Sequence, residues 1–409
     1  MRKIEKIKAE NAAKASEILF NAYVEFRDTK EVPKEEIEEA KKKLETNYEA
    51  SRLYGCFDDD ILKGVMYIVT RQMTLFGSKI KVGTNGALAV DLLHKKEKVA
   101  YSFIKESLSI SAADGCLVQA LYPFNASFYR SMGFGYGGRV QKFRIEPSSF
   151  PRGERGDIRF LGKEDIPAMK ECYESFSIKY NGMIDYDDGD YANMVKYGNS
   201  TLGAFKDGKM QGYMYMTYET ADKQNKYIQV RDLVYLNPET LLTFSTFLNS
   251  QADQYKRIGI NSHDQYLHYY VTDARRDNKD IYLPDNNEVY TYFPGVMYRI
   301  LDLPGIIQSV PHNYGRQTLT LKINIEDNVL GDKSYIVSFE EGRAKMADTE
   351  EFDVEISMNI ANFSSMFMGA VDFKSLLGYG LAKISDNSYV EAVEMAFKTD
   401  RSPMCTKFF

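Results

Sequence analysis

Fourteen residues, NASFYRSMGFGYGG from Asn125 to Gly138, combine a tyrosine with a cluster of glycines. Glycines in a run can cradle a phosphate on backbone N–H groups, and a tyrosine can pass a proton from its phenol. The order of the residues separates the two. Pro123 ends an apolar strand at Cys116–Tyr122, Asn125 is a good N-cap, and a short helix is predicted over Ala126–Met132, closed by Gly133. The glycines thus follow a helix, whereas a dinucleotide-binding GxGxxG follows a strand and opens one. They read as a C-cap and a turn into the strand RVQKFRI. Phe128 and Met132 face inward, and Tyr129 is either a half-buried core residue or a phenol aimed at a site beside the strand tip.

A second phosphate candidate lies upstream, where LAVDLLHKKEKVA (Leu88–Ala100) passes from strand to helix. A helix N-terminus offers free N–H groups and the positive end of its dipole. Lys95, Lys96 and Lys98 at this junction either hold a pyrophosphate or solvate a loop. The chain closes on Phe408-Phe409, two aromatics that invite burial of the terminus rather than fraying. Metal chemistry is not expected: Cys56, Cys116, Cys172 and Cys405 are scattered without a CxxC, and His263 and His268 have poor ligand spacing.

These residues need a scaffold, and the chain contains a repeat that supplies it. GCFDDDILKGVMY (Gly55–Tyr67) aligns without a gap on GAFKDGKMQGYMY (Gly203–Tyr215), and each reads as a β-hairpin turning at Asp59-Asp60 or Asp207-Gly208. In the first copy, KIEKI is a strand and Asn11–Arg27 a helix with Ala15, Ile18, Leu19, Ala22 and Phe26 on one face. A second antiparallel pair ends at Gly86–Val90. A helix over Lys96–Ala113 then leads to the strand at Cys116, a right-handed βαβ crossover. In the second copy RDLVYL matches the strand at Val90, and Pro238 opens the next helix. KEEIEEAKKKLE (Lys34–Glu45) reads as a solvated helix with Glu38–Lys42 and Glu39–Lys43 pairs. From about Tyr292 the pattern changes to alternating strands (LTLKINI, YIVSF, FDVEISM) and helices. The expected division is 1–150, 151–291 and 292–409: two α/β units and an α+β domain.

The motif FYRSMGF resembles the FYxxxGF helix of GNAT acyltransferases. The tandem units, LYPFNASFYRSMGFGYG, VRDLVYLNPETLLTFSTFL, GVMYRILDLPGI and the ending DRSPMCTKFF together resemble the enhanced intracellular survival (Eis) family over essentially the whole chain. The implied fold is two tandem GNAT units with mixed sheets, followed by a sterol-carrier-like α+β domain that carries the catalytic C-terminus. The implied activity is N-acetylation by acetyl-CoA of a cationic small molecule (aminoglycoside- or polyamine-like) or of a lysine side chain. The resemblance makes Tyr129 the general acid and the Phe409 carboxylate the base. It puts Leu88, Ala89 and Val90 on the acetyl-pantetheine arm, Lys95, Lys96, Lys98 and Val99 in the pyrophosphate loop, and Tyr23, Glu25 and Phe26 on the acceptor wall. It also implies a homo-oligomer, commonly a hexamer.

The sequence departs from the family in two places. HKKEKVA (His94–Ala100) replaces a loop of the kind HRRRGLL, so Lys98 stands where a glycine lets the backbone approach phosphate. The penultimate residue is Phe408 rather than an acid, which weakens the case for aminoglycosides. In the second unit Asn237, Pro238 and Glu239 occupy the loop position, and Glu239 would repel a pyrophosphate, so that unit is expected to be structural.

The chemistry is coherent. A phenol of pKa about 10 can protonate a leaving thiolate of pKa about 8.5, and burial would raise a terminal carboxylate toward a usable base. A backbone N–H near Val90 would serve the oxyanion. No cysteine motif supports an acetyl-enzyme, so direct transfer is expected. The net charge of −6 argues against nucleic acid, and neither an apolar signal core nor a membrane span is found, so the cytoplasm is the expected location. The other reading is a lapsed enzyme that binds an apolar ligand through the third domain, where ISMNIANFSSMFMG (Ile356–Gly369) is rich in methionine.

Overall fold

The computed structural model describes residues 2–409 except 24–30, 47, 49–50, 223–224, 277–286 and 313, with backbone only at 221, 222 and 225. Along the chain come β1 (Arg2–Lys6), α1 (Ala12–Ala22), α2 (Lys34–Thr46), β2 (Leu53–Asp58), β3 (Ile61–Leu75), β4 (Ser78–Val90), α3 (Val99–Ala113), β5 (Val118–Leu121), α4 (Ala126–Ser131) and β6 (Gly135–Tyr136). Next are β7 (Arg139–Ile145), β8 (Asp157–Phe160), α5 (Ile166–Ser177), α6 (Asp188–Met194), β9 (Thr201–Lys206), β10 (Lys209–Asp222), β11 (Asn225–Tyr235), α7 (Pro238–Asn249), β12 (Arg257–Ser262), α8 (Leu267–Tyr270), β13 (Tyr290–Pro294) and β14 (Met297–Ile300). The remainder is α9 (Leu303–Ser309), β15 (Leu319–Glu326), β16 (Lys333–Glu340), β17 (Arg343–Met346), β18 (Val354–Asn359), α10 (Ile360–Phe367), α11 (Phe373–Gly378), β19 (Ala382–Ile384) and α12 (Val390–Ala396).

The two aligned hairpins turn as their sequences dictate. Asp59 and Asp60 have φ of 47° and 66°, and Asp207 and Gly208 have 52° and 74°, the double left-handed geometry of a two-residue turn that matches strand twist. Each unit then changes from antiparallel to parallel pairing: β4 with β5 around α3, and β11 with β12 around α7. α1 ends at Ala22, capped by Tyr23, and the rest of the expected Asn11–Arg27 helix lies outside the described residues. α3 begins at Val99 rather than Lys96, because Lys96 and Lys98 both take positive φ. In α2 the Glu39–Lys43 pair closes at 2.6 Å.

The sheets exchange strands across the units. RVQKFRI, read as the close of the first unit, is β7, and it hydrogen-bonds between β12 and β13 in the second sheet. Conversely β14, read within the third domain, inserts between β5 and β6 in the first sheet, with Met297 opposite Leu121. The third sheet runs β17-β16-β15-β18-β19. Its apolar face and the wholly buried α10 join Met73, Val82 and Tyr298 of the first sheet in one continuous core. The second unit has its own cores, built on Phe143, Met214 and Phe244 on one face and on Met169, Tyr173 and Tyr213 on the other.

Candidate active site

β4 and β5 pair only from Val82–Asn85 to Val118–Leu121. Beyond Asn85, β4 continues to Val90 along β3, while the other chain turns away at Pro123, so a cleft opens between them. A bulge sits at the mouth: Ala87 takes φ 47°, and pairing with β3 skips from Gly86 to Ala89. The phenol of Tyr23, at the end of α1, donates to the Leu88 carbonyl at 3.2 Å. Leu88 and Val90 pack with Met66, Phe103 and Tyr129, whereas Ala89 points to the opposite face against α1.

Tyr129 enters from the far wall on α4. Asn125 Oδ1 caps this helix by accepting from Phe128 N at 3.2 Å. The phenol ring is 3% exposed and is walled by Phe124, Phe128 and Phe134 at centroid distances of 5.6, 5.1 and 6.1 Å. Burial pushes its pKa well above that of a free phenol, with Tyr23 adding to the effect, so the group holds its proton through neutral pH. The glycines after α4 serve close approach: a Cβ on Gly133, itself at φ 84°, would lie 1.4 Å from Arg299 Nη1, and one on Gly138 would lie 1.8 Å from the Pro403 carbonyl oxygen.

The third wall is the C-terminal tail, threaded between the two α/β units. Met404 N donates to the Asn181 carbonyl at 2.8 Å, His263 Nε2 meets the Cys405 carbonyl at 2.8 Å, and Tyr186 and Thr406 share their hydroxyls at 3.1 Å. A carbonyl can only accept, so His263 carries its proton on Nε2. Lys407 is 1% exposed, paired with Asp190 and stacked over Tyr186. The Tyr122 hydroxyl faces the Lys407 carbonyl at 3.0 Å and the Cys405 carbonyl at 3.3 Å. Phe408 and Phe409 lay their rings against Tyr122 at 5.0 and 5.3 Å. So held, the tail brings the Phe409 carboxyl carbon within 3.5 Å of where a Cβ on Gly86 would be.

Tyr23, Gly86, Leu88, Tyr122, Tyr129 and Phe409 thus share one cavity of about 1370 Å³ that also reaches the second unit. Ala89, Val90, Lys95, Lys96, Lys98 and Val99 are not on its wall. Val99 is buried in the first turn of α3, and the three lysines are exposed outside the cavity, just before the N-terminal end of α3. Lys98 is the N-cap residue, at φ 61° and ψ 21°, and makes no side-chain cap. Glu97 beside it is engaged by Lys63 at 2.8 Å and His94 at 3.1 Å, which hold its carboxyl below the usual range. Glu25 and Phe26 lie outside the described residues. Tyr122 and Lys407 were not singled out from the sequence, and His263 was weighed there only as a metal ligand. The sequence of the tail names no partner for any of the three.

The second unit repeats the cleft with a different lining, and Tyr215, Asp232 and Leu233 lie on the wall of the same cavity. Asn237 Oδ1 accepts from Thr240 N at 2.9 Å, so α7 has a side-chain cap where α3 has none. Tyr67 pairs with Gly86 and its counterpart Tyr215 pairs with Asp232, so a buried aspartate occupies the position of Gly86. In the third domain, the Met-rich segment forms β18 and α10, and the space beneath them is filled by Phe339, Phe363, Phe367 and Phe397 in mutual ring contact. Among the described residues no cluster could hold a metal, and no helix is long and apolar enough to cross a membrane.

Residues 3–137 and 188–300 each match the family model of an acetyltransferase (GNAT) domain, and residues 303–406 match that of a sterol carrier protein domain. A GCN5-related N-acetyltransferase from Anabaena variabilis has a similar structure, with a TM-score of 0.83 at 15% identity, covering 100% of both chains. One from Kribbella flavida gives a TM-score of 0.79 at 14% identity, and Eis1 from Mycobacterium abscessus gives 0.76 at 18%, each covering 100% of both chains. At such identities the likeness is one of fold. A comparison with curated proteins finds no match.

Proposed function

We propose that this GNAT acyltransferase, two GNAT domains and a sterol carrier protein domain in the order of an Eis-like protein, transfers acetyl from acetyl-CoA to a primary amine in its first unit. GNAT domains in general use acetyl-CoA as co-substrate and act on amine acceptors. The acceptor in this reading is a cationic small molecule or a lysine side chain. One observation carries the proposal: the Tyr129 phenol and the Phe409 carboxyl group face one cavity at the splayed end of β4.

The Phe409 carboxylate takes a proton from the bound ammonium, and the free amine attacks the thioester carbonyl. A backbone N–H near Val90 donates to the oxyanion as it forms. As the C–S bond breaks, the nitrogen loses its second proton to solvent and Tyr129 gives its proton to the thiolate; Phe409 then releases the proton it took, and Tyr129 is reprotonated from solvent. The amide, free CoA and a released proton balance the reaction. Lys95, Lys96, Lys98 and the N-terminus of α3 hold the pyrophosphate. Tyr23, Glu25 and Phe26 form the acceptor wall, and the second unit is structural. The same reading carries a cytoplasmic location and a hexamer, the latter measurable by light scattering.

Thiol release from acetyl-CoA with a panel of polyamines, aminoglycosides and lysine peptides tests the mechanism. Tyr129→Phe, and one residue added after Phe409, are each expected to cut turnover by about a hundredfold, the scale of an acid–base group. Full turnover in both variants would remove both residues from the mechanism.

A further inference from the structure

Arg299, on β14, is 0% exposed and has no role in the chemistry above. Its Nη1 donates to the Met132 carbonyl at 2.8 Å, and its Nη2 donates to Asp327 Oδ2 at 2.5 Å. Met132 closes α4, one turn after Tyr129. The last carbonyls of a helix lack intrahelical donors and carry the negative end of its dipole, so a guanidinium there is a charged cap. Six residues make too short a helix to hold itself together, so its position is set from outside. Arg299 Nε has no acceptor among the described residues. The side chain forgoes that bond and aims its fork at two targets.

Both targets are specific. Asp327 belongs to the segment after β15, and its Oδ1 accepts from Val329 N at 3.0 Å and Leu330 N at 3.2 Å. The carboxylate is thus fixed by its own loop before it meets Arg299. On the other side, Gly133 leaves the space the guanidinium fills, since a Cβ there would overlap Nη1. This accounts for the glycine in FYRSMGF by packing as well as by its positive φ. A second tie runs parallel: Arg130 Nη2 donates to Asn362 Oδ1 on α10 at 2.7 Å.

We propose that Arg299, fixed by Asp327, is a positioning residue that holds α4 so that the Tyr129 phenol faces the cleft, and that the third domain thereby seats the acid. The inference rests on the reading of Tyr129 as the acid. A buried ion pair is a poor source of stability and can often be replaced by apolar residues, which lets its positional role be tested apart from folding.

The experiment is a double-mutant cycle in the full chain. Arg299→Lys keeps the charge beside Asp327 but lacks the fork that reaches both partners. Turnover is expected to fall at least tenfold, since small misplacements of reacting groups are costly, while acetyl-CoA affinity by calorimetry and the acceptor KM stay within twofold. In the Tyr129→Phe background the same change is expected to cost less than twofold, because the group it positions is gone. Unchanged turnover in Arg299→Lys, or a loss of equal size in both backgrounds, overturns the proposal. If Arg299→Lys does not fold, the charge-free pair Arg299→Met with Asp327→Leu takes its place in the cycle and is read the same way. Full turnover in Tyr129→Phe alone is a separate result, which removes the acid itself.

Discussion

Lys98 holds a conformation that usually falls to glycine. Its φ of 61° is left-handed, and an L-residue there gives up about 1–2 kcal/mol. The expected glycine of the loop is therefore absent in side chain but present in backbone. Lys98→Gly is expected to stabilise the chain by about 1 kcal/mol, read as a higher denaturant midpoint, and to weaken acetyl-CoA binding by calorimetry, because one of the ammonium groups that hold the pyrophosphate is lost. Binding as tight as that of the parent would show that the backbone approach, not the exposed ammonium, holds the phosphate. At this scale the sequence was readable where partners are near neighbours. Tyr129, its Asn125 cap and the Gly133 stop lie within nine residues and were all read correctly as a helix. Arg299 and Lys407 were invisible: Arg299 meets a carbonyl 167 residues away, and the Lys407 carbonyl meets Tyr122 at a separation of 285. No local periodicity encodes such contacts.

The elements show the same division. Hairpins and crossovers were readable because turn chemistry and strand–helix–strand spacing are local; both Asp-rich turns and both parallel crossovers form as expected. The exchange of β7 and β14 between sheets was not. Alternation in RVQKFRI tells which side chains face inward but not which strand supplies the hydrogen bonds. Once the exchange is known, the two clefts can be compared as elements, and their helix ends differ. α3 opens on uncapped Lys98, whereas Asn237 caps α7 and Glu239 puts a negative charge in its first turn. One acetyl-CoA per chain is therefore expected by calorimetric titration. Asn237→Ala is expected to cost about 1 kcal/mol of stability and to leave that stoichiometry at one. Two equivalents bound to the parent chain would make the second cleft a working site.

For the whole molecule the decisive element is the tail, which locks both α/β units and the third domain around one cavity. Two buried titratable groups beside it pull in opposite directions with pH. Asp232 faces the hydroxyls of Tyr213, Tyr186 and Thr406, and burial pushes its carboxyl up to about 6. Folding disfavours its ionised form, so its contribution is full below its unfolded pKa and falls as pH rises to about 6, by about 3 kcal/mol. His263, held to the Cys405 carbonyl, is pushed down to about 4 by burial. Folding disfavours the imidazolium, so its contribution is full above about 6.5 and lost as pH falls to about 4, by a similar amount. Between these limits the two slopes oppose, and the parent chain is expected to show little change in denaturant midpoint from pH 4 to 6. Asp232→Asn removes the falling limb and leaves the rising one. The variant is then expected to gain stability steadily over that range and to exceed the parent at pH 7 by up to about 3 kcal/mol. An Asp232→Asn chain no more stable than the parent at pH 7 would mean that the carboxylate is better solvated under the tail than its burial implies. Asp232 lines the cavity, and water within it would then be what solvates the carboxylate.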